Sequence, residues 1–268
     1  MSTTDVSAKD VMALRKKTGL GMMDCKKALI EHNGDAAAAE AALREKLKGK
    51  MDTRTDRAAG EGRILVSTEG EKATILELRA ETDFTARNDS FIEMSDEIAK
   101  MSLQQGDGEV EFTDAMKAKL DEVRITTGEN ISMARGTRLT GGNFASYIHH
   151  DNKLGVLLQY EGDLDADVAT GICQHIAAHV PIPMAIDRDG VASDLVSVKM
   201  NEAKAEAENS GKPPEIAEKI AEGKMRKFFE EVTLLGQKFV KDDTKSVSEL
   251  LPAGVTLKVF ERYQLGAE

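Results

Sequence analysis

Thr74-Ile75-Leu76-Glu77-Leu78-Arg79 runs through Ala80 and Glu81 into Thr82-Asp83-Phe84-Thr85-Ala86-Arg87-Asn88. Leu76 and Leu78 alternate with Glu77 and Arg79, the two-residue period of a strand with one covered face. A second β-rich run, Arg63 to Ser67, precedes it, and Thr68-Glu69-Gly70-Glu71 between the two reads as a hairpin turn. Beyond Asn88, the residues Phe91, Met94, Ile98 and Met101 recur at helical spacing. Asn88 or Asp89 can cap that helix, which starts at about Ser90. The segment is therefore strand, turn, strand, acidic loop, helix. Asp83 and Phe84 stand on the loop between strand and helix, where a rigid scaffold commonly carries function. The carboxylate can compete for a cation or repel a phosphate, and the ring can wedge into a partner's pocket. Spacing leaves a second reading open for Phe84, a staple on the start of the following helix.

The same layout follows a second time. Ala145 to Ile148 reads as a strand, His149-His150-Asp151-Asn152 as a turn, and Gly155 to Tyr160 as a strand with Val156, Leu158 and Tyr160 on one face. Gly162-Asp163-Leu164-Asp165 is an acidic loop, and a helix is expected from about Ala166 to Val180, ended by Pro181 and Pro183. Identity between the copies is low, so the repeat is one of layout. Between them, Asp114 to Thr126 reads as a helix with Met116, Leu120 and Val123, and Ile131 to Arg135 as a strand.

Flanking this core are two helical segments. Residues 1–50 read as three short helices. Ser7 and Asp10 resemble a capping box, Val11 and Leu14 share a face, and Gly19 ends the first helix. Cys25, Ala28 and Leu29 lie on the second, which ends at Asn33-Gly34. Asp35 caps the third, whose Ala37, Ala38, Ala41 and Ala42 permit close approach. A bundle of this size is weakly stable alone. Lys46 to Gly62 is polar, a linker or a poorly packed helix. Residues 193–236 read as a helical hairpin, with Val196, Met200, Ala203 and Ala207 facing Ala217, Ile220, Ala221 and Phe228. Ser210-Gly211-Lys212-Pro213-Pro214 breaks it, and the Ala-rich seam suggests a short coiled coil. A brief helix at Val247 to Leu251 and a last strand carrying Val255, Leu257 and Val259 complete the chain.

The composition limits what such a fold can do. The 268 residues carry a net charge of -11, which argues against direct nucleic-acid binding, since phosphates need a basic surface. A hydrophobic fraction of 41% supports a core, but with aromatics at 4% and no Trp it must be built on aliphatic residues, Met and Ala. Cys25 and Cys173 are the only cysteines, which fits a reducing cytoplasm. No signal pattern opens the sequence, and no apolar run approaches the ~20 residues of a membrane span.

Chemistry-bearing patterns are sparse. His175 and His179 have the four-residue spacing of a zinc pair, but Ile176 stands where a zinc hydrolase needs its Glu, and both continue the apolar stripe of Val168 and Ile172. Packed or edge histidines are the simpler reading, and a metallohydrolase is the rival that it displaces. No phosphate loop is present: Gly19-Leu20-Gly21 follows no strand, and Gly211-Lys212 runs into Pro213. Neither cysteine has the neighbours of a nucleophile. His149 is equally a solvated turn residue or a polar contact for a partner. Met22 and Met23 open a helix after a glycine turn. Two successive residues cannot both face inward there, so at least one suits an adaptable binding surface.

Leu14-Arg15-Lys16-Lys17-Thr18-Gly19-Leu20-Gly21-Met22-Met23-Asp24-Cys25-Lys26-Lys27-Ala28-Leu29 is similar to the N-terminal signature of bacterial elongation factor Ts, and Thr82-Asp83-Phe84-Thr85-Ala86 to that family's second signature. In the same order, Gly128-Glu129-Asn130-Ile131, Ser146-Tyr147-Ile148-His149, His175-Ile176-Ala177-Ala178-His179-Val180 and Ser210-Gly211-Lys212-Pro213 with Glu215-Ile216-Ala217-Glu218-Lys219 also resemble it, so the likeness spans essentially the whole chain. It implies an α+β fold. The parts are a ubiquitin-associated-like three-helix domain (1–50), a linker (51–62), a core of two similar α/β subdomains with antiparallel sheets (63–140, and 141–192 with 237–268), and a coiled-coil hairpin (193–236).

The resemblance further implies a cytoplasmic guanine nucleotide exchange factor for the translation GTPase elongation factor Tu, not an enzyme, with no cofactor and no metal of its own. A homodimer through the hairpin is a further option, and a helical scaffold without exchange activity is the rival. Arg15, Met22 and Met23 would contact the GTPase's nucleotide domain. Thr82, Asp83, Phe84 and Thr85 would dislocate its magnesium, with Asp83 and Phe84 intruding and the threonines flanking them. His149 would reach its phosphate loop. Thr85 departs from the family's usual Val, so packing behind the loop is expected to differ. The sequence also stops soon after the last strand, without the C-terminal helical module of some members, so no contact of that module is carried over.

Overall fold

The computed structural model describes residues 6–53, 56–209 and 213–267, with 50–52 as backbone only. It is a mixed α+β protein in which helices α1 (Ala8–Thr18), α2 (Met22–Glu31) and α3 (Ala36–Asp52) precede strands β1 (Glu61–Glu69) and β2 (Lys72–Ala80). Then come the short α4 (Asp83–Ala86), α5 (Asp89–Ser102), β3 (Gly108–Glu109), α6 (Asp114–Thr127) and β4 (Ser132–Thr140). The remainder is β5 (Asn143–Ile148), β6 (Leu154–Glu161), α7 (Ala166–Ala178), α8 (Ser193–Asn209), α9 (Pro214–Val232), β7 (Lys238–Phe239), β8 (Asp242–Ser246), a 3-10 turn at Val247–Leu250 and β9 (Thr256–Gln264). The sheets are ordered β1-β2-β4-β3, β5-β6-β9 and β7-β8. The chain divides into two compact units, one of Met1–Leu65, Leu76–Gly136 and Leu265–Glu268, the other of Val66–Ile75 and Thr137–Gln264.

In the first unit, capping sets the ends of the three N-terminal helices. The Ser7 hydroxyl accepts the Asp10 N–H and donates to its carboxylate, Gly19 closes α1 in the left-handed region, and Asp35 Oδ1 accepts the N–H groups of Ala37 and Ala38. Val11, Leu14, Leu20, Cys25, Ala28 and Leu29 pack with Ala39 and Leu43 of α3. The inward residues of α3 are therefore Ala39 and Leu43, one turn apart, while Ala37 and Ala41 face solvent, contrary to the sequence reading. The polar stretch from Lys46 continues α3 as helix to Asp52. Ile125 of α6 enters this core, and Lys48 pairs with Asp121 of α6 at 3.4 Å. The bundle thus gains from α6 the apolar cover that its own small size does not supply.

The larger core of this unit sets Leu65, Leu76 and Leu78 against Phe91, Met94 and Ile98 of α5 and Met116, Leu120 and Val123 of α6. Alternation along β2 predicts an exposed Glu77, but Leu76, Glu77 and Leu78 are all fully buried. The acid is tolerated because it is paired: Arg79 Nε and the Gly266 N–H donate to Oε1 at 2.7 and 3.0 Å, and Arg135 Nε donates to Oε2 at 2.8 Å. A buried charge is retained only with such partners.

The second unit builds on antiparallel β5-β6 and β6-β9 pairs. Val156, Leu158 and Leu257 pack with Ile172, Cys173 and Ile176 of α7 and with Leu234 and Val247. Helix α7 stops at Ala178 rather than Val180, with His179 as an extended cap. In α8 and α9, Ala203 and Ala207 pack with Ala217, Ala221 and Met225, flanked by Val196, Met200, Ile220 and Phe228. Small residues on both sides let the two backbones approach. Ser210 to Lys212, expected to break the hairpin, lie outside the described residues, and α9 opens on Pro214, where the missing N–H costs nothing. Among the described residues, no helix is long and apolar enough to cross a membrane.

Candidate functional site

Asp83-Phe84 sits not on an open loop but on α4, a single helical turn between β2 and α5. Thr82 is its N-cap, its hydroxyl accepting the Thr85 N–H at 3.3 Å. The turn divides adjacent residues sharply. Thr85 and Ala86 are buried, while Phe84 is 84% exposed. That exposure rules out the staple on α5. Asp83 is partly exposed and pairs with Arg87 at 3.4 Å. The hydroxyl-bearing Thr85 is accommodated inside with 6% of its surface accessible.

A second segment holds this turn. Helix α6 ends at Gly128, whose φ of +74° is a left-handed cap that a side chain would resist, and whose N–H returns to the Arg124 carbonyl. The chain then presents Glu129 to Thr82. The Thr82 N–H donates to Glu129 Oε2 at 3.1 Å, and the Thr82 hydroxyl donates to Oε1 at 2.7 Å. In the opposite direction, Glu81 Oε1 accepts the Asn130 N–H at 2.7 Å, and Arg57 pairs with Glu81 Oε2 at 3.5 Å. The Asn130 side-chain amide donates to the Arg57 carbonyl at 2.8 Å.

Arg15, Met22 and Met23 belong to the three-helix bundle. Gly21 caps α2 without a side chain, and both methionines are exposed, 48% and 75% respectively, so neither serves the core. Leu20 and Cys25 on either side are buried and fix the turn between them. Arg15 is exposed in the last turn of α1.

His149 lies in the second unit, at the β5–β6 turn. Its N–H donates to the Leu154 carbonyl, and Asn152, at φ +59°, closes the turn by donating to the His149 carbonyl. The ring is partly exposed, its Nδ1 lies 2.8 Å from the Tyr147 hydroxyl, and it stands 4.3 Å from the His150 ring. Thr82 to Thr85 thus form one group, Arg15 with Met22 and Met23 lie on other helices of the same unit, and His149 belongs to the other unit.

Of the zinc-like histidine pair, His175 is a packing residue, while His179 is half-buried with its Nδ1 2.9 Å from the Pro181 carbonyl. His175 is fully buried; its Nδ1 accepts the Val240 N–H at 3.1 Å, and its Nε2 donates to Gln237 Oε1 at 2.9 Å. Both ring nitrogens are occupied, leaving no lone pair for a metal. Burial holds its pKa below the ordinary value, with the neighbouring His179 acting in the same direction. Burial likewise pushes the Cys173 thiol up to about 12, so it is no nucleophile at neutral pH.

Glu129, Glu81 and Asn130 carry no role in the sequence reading, although Gly128-Glu129-Asn130-Ile131 is one of the quoted likenesses. A glycine at the end of a helical pattern followed by an acid marks where a side chain can be aimed. Its target, Thr82, is 47 positions away, beyond any local pattern.

A family model described as Elongation factor TS matches residues 81–267. The chain is 41% identical to "Elongation factor Ts" of Hydrogenobaculum sp. (strain Y04AAS1), with 97% of this chain and 99% of that one covered. Identity is 39% to "Elongation factor Ts" of Idiomarina loihiensis (97% and 91% covered) and 38% to that of Psychrobacter arcticus (99% and 92% covered).

Proposed function

The chain belongs to the elongation factor Ts family, and we propose that it promotes GDP release from elongation factor Tu by disturbing the magnesium and phosphate site, so that GTP can reload during polypeptide elongation. The observation that carries this reading is Phe84, 84% exposed on a turn whose other residues are buried or bonded. GDP in such a GTPase is held by magnesium and by backbone donors around its phosphates. A factor releases it only by binding the nucleotide-free state better than the loaded one. Factor and nucleotide then weaken each other reciprocally. Phe84 is the wedge beside the metal, Asp83 disfavours the loaded geometry, and Thr82 and Thr85 hold the pair. Arg15, Met22 and Met23 grip the nucleotide domain, and His149, steadied by Tyr147, reaches the phosphate loop.

On this reading the factor makes and breaks no covalent bond, needs no cofactor, and acts in the cytoplasm on a protein rather than on nucleic acid, in keeping with its net charge of -11. Residues 1–50 serve as a ubiquitin-associated-like domain, 63–140 and 141–192 with 237–268 as paired subdomains, and 193–236 as a coiled-coil hairpin. A homodimer through the hairpin is a further option on this reading.

Release of labelled GDP from elongation factor Tu, with and without the chain, tests the reading. Fully burying a Phe side chain is worth ~1.5–3 kcal/mol. Truncating such an anchor typically costs at least ~2 kcal/mol. Phe84→Ala is expected to slow stimulated release about 30-fold or more, while moving the free protein's stability by under ~0.5 kcal/mol. Unchanged stimulation would sink the wedge.

A further inference from the structure

We propose that Glu129 is a positioning residue for exchange: through Thr82 it holds the turn that carries Asp83 and Phe84 in the geometry presented to the GTPase. The proposal rests on the exchange reading above and extends it to a residue outside the contact set named there.

A four-residue helix cannot sustain itself, because nucleation fixes several dihedrals for few hydrogen bonds. The outer residues of α4 add little. Phe84 is exposed, and the Asp83–Arg87 pair is a surface ion pair. Its inner residues Thr85 and Ala86 are anchored by burial, and its start is held by the N-cap, which depends on Glu129. Thr82 has one hydroxyl proton, and it goes to Glu129 Oε1. The oxygen's lone pairs are thereby left facing the Thr85 N–H, which it accepts. The other oxygen of the same carboxylate fixes the Thr82 backbone through its N–H. One side chain thus sets both the direction of the chain entering α4 and the orientation of the group that caps it.

Glu129 is itself held. Its N–H faces the Thr127 hydroxyl at 3.4 Å, Gly128 turns the chain into place, and the next residue, Asn130, is buried and tied back to Glu81 and Arg57. The two carboxylates, Glu129 and Glu81, cross between the same two segments in opposite directions. The core beside them is formed by Ala86, Phe91 and Ile131 without either acid. Glu129 therefore orders the turn rather than building the fold. An ordered turn presents Phe84 without the cost of fixing it at the moment of binding.

The test measures labelled-GDP release from elongation factor Tu at limiting factor, together with amide hydrogen exchange of the free factor. Glu129→Ala is expected to lower release about tenfold, equivalent to ~1.4 kcal/mol. It should also expose the Thr85 amide to exchange while the Phe91 and Ile98 amides remain protected. Thr82→Val, which removes the hydroxyl that Glu129 orients, should lower release as Glu129→Ala does and likewise expose the Thr85 amide. If Glu129 acts through the turn, Glu129→Ala costs clearly less than tenfold in the Phe84→Ala background, where only the share carried by Asp83 is left to lose, whereas independent sites would multiply. Multiplied losses, wild-type release from Glu129→Ala, or a Thr85 amide that stays protected in that variant would each overturn the proposal. A silent Phe84→Ala defeats the exchange reading instead, and the Thr85 amide then still decides whether Glu129 holds the turn.

Discussion

Replacing Glu77 by Ala should be among the most damaging single changes available in the first unit. The carboxylate is fully buried and receives Arg79 Nε, Arg135 Nε and the Gly266 N–H. Hydrogen bonds to a charged group contribute ~1.5–3 kcal/mol each, and breaking a buried pair by removing one partner costs ~3–5 kcal/mol. The lower end applies here, because both arginine side chains keep 30% exposure and can turn to water once the acid is gone. A loss of about 3 kcal/mol is expected, or ~6–12 °C at ~2–4 °C per kcal/mol for a unit of this size. Glu77→Gln keeps the shape but turns an amide N–H₂ toward an arginine donor, and should lose ~2 kcal/mol, since an unmet buried donor costs ~1–3 kcal/mol. Denaturant midpoints and heat scans on the full chain measure both. Hydrogen exchange at the Gly266 amide locates the effect, because that amide should lose protection first. Variants within ~0.5 kcal/mol of the parent would refute the reasoning and mean that the acid's desolvation already cancels its pairing.

Two further outcomes follow from geometry elsewhere. Gly223 lies within α9, and a Cβ there meets nothing within 4 Å, so Gly223→Ala should stabilise the hairpin by ~0.5–1 kcal/mol, read as a higher denaturant midpoint. Burial lowers the pKa of His175 in the folded protein, while an unfolded His takes a proton near pH ~6.5. The unfolded state therefore binds more protons below that pH, and stability falls as pH drops through this window. Ring shifts of His175 that titrate at lower pH than those of the unfolded chain, with a denaturant midpoint lower at pH 5 than at pH 7, would confirm the sign.

The elements were legible wherever one local pattern governed them. Phe91, Met94 and Ile98 mark α5 by spacing, and Ser7, Asp35 and Asn88 mark helix starts because a cap acts within three residues. The reading failed where a distant partner overrides the local pattern. Glu77 looked like a solvent-facing alternate because nothing near it in sequence announces Arg135. The inward face of α3 went to Ala39 and Leu43 rather than to the longer alanine series, because packing on α1 and α2 chooses the face. Strand β7 has two residues, too few to show a period. At the site, the acid–aromatic pair is legible, but spacing fits Phe84 equally to a staple or a wedge and only its exposure excludes the staple, while Glu129 lies 47 positions from the Thr82 it supports.

The exposure of Phe84 gains force from the rest of the composition. The chain has 8 Phe and no Trp. Phe91 and Phe239 are buried, and Phe112, Phe144, Phe228, Phe229 and Phe260 are half-buried. A chain that spends so few aromatics puts one of them, Phe84, almost wholly in water, next to Thr85 and Ala86 that it buries. Folding alone gives no return on that placement, since an exposed ring contributes no burial energy. Nor is it slack in a loose loop, because the backbone under it is capped by Thr82 and bonded to Glu129. A rigid backbone beneath an unsatisfied side chain is the arrangement expected where binding energy must oppose a tightly held ligand. Energy used to order the factor's own loop would be lost to the task of favouring the nucleotide-free GTPase over the loaded one. Met22 and Met23, exposed between the buried Leu20 and Cys25, and His149, braced by Tyr147, repeat that combination on other elements. On the proposed mechanism, the stability of the factor and its effect on GDP release should therefore separate: changes to the exposed side chains affect release, changes beneath them affect both.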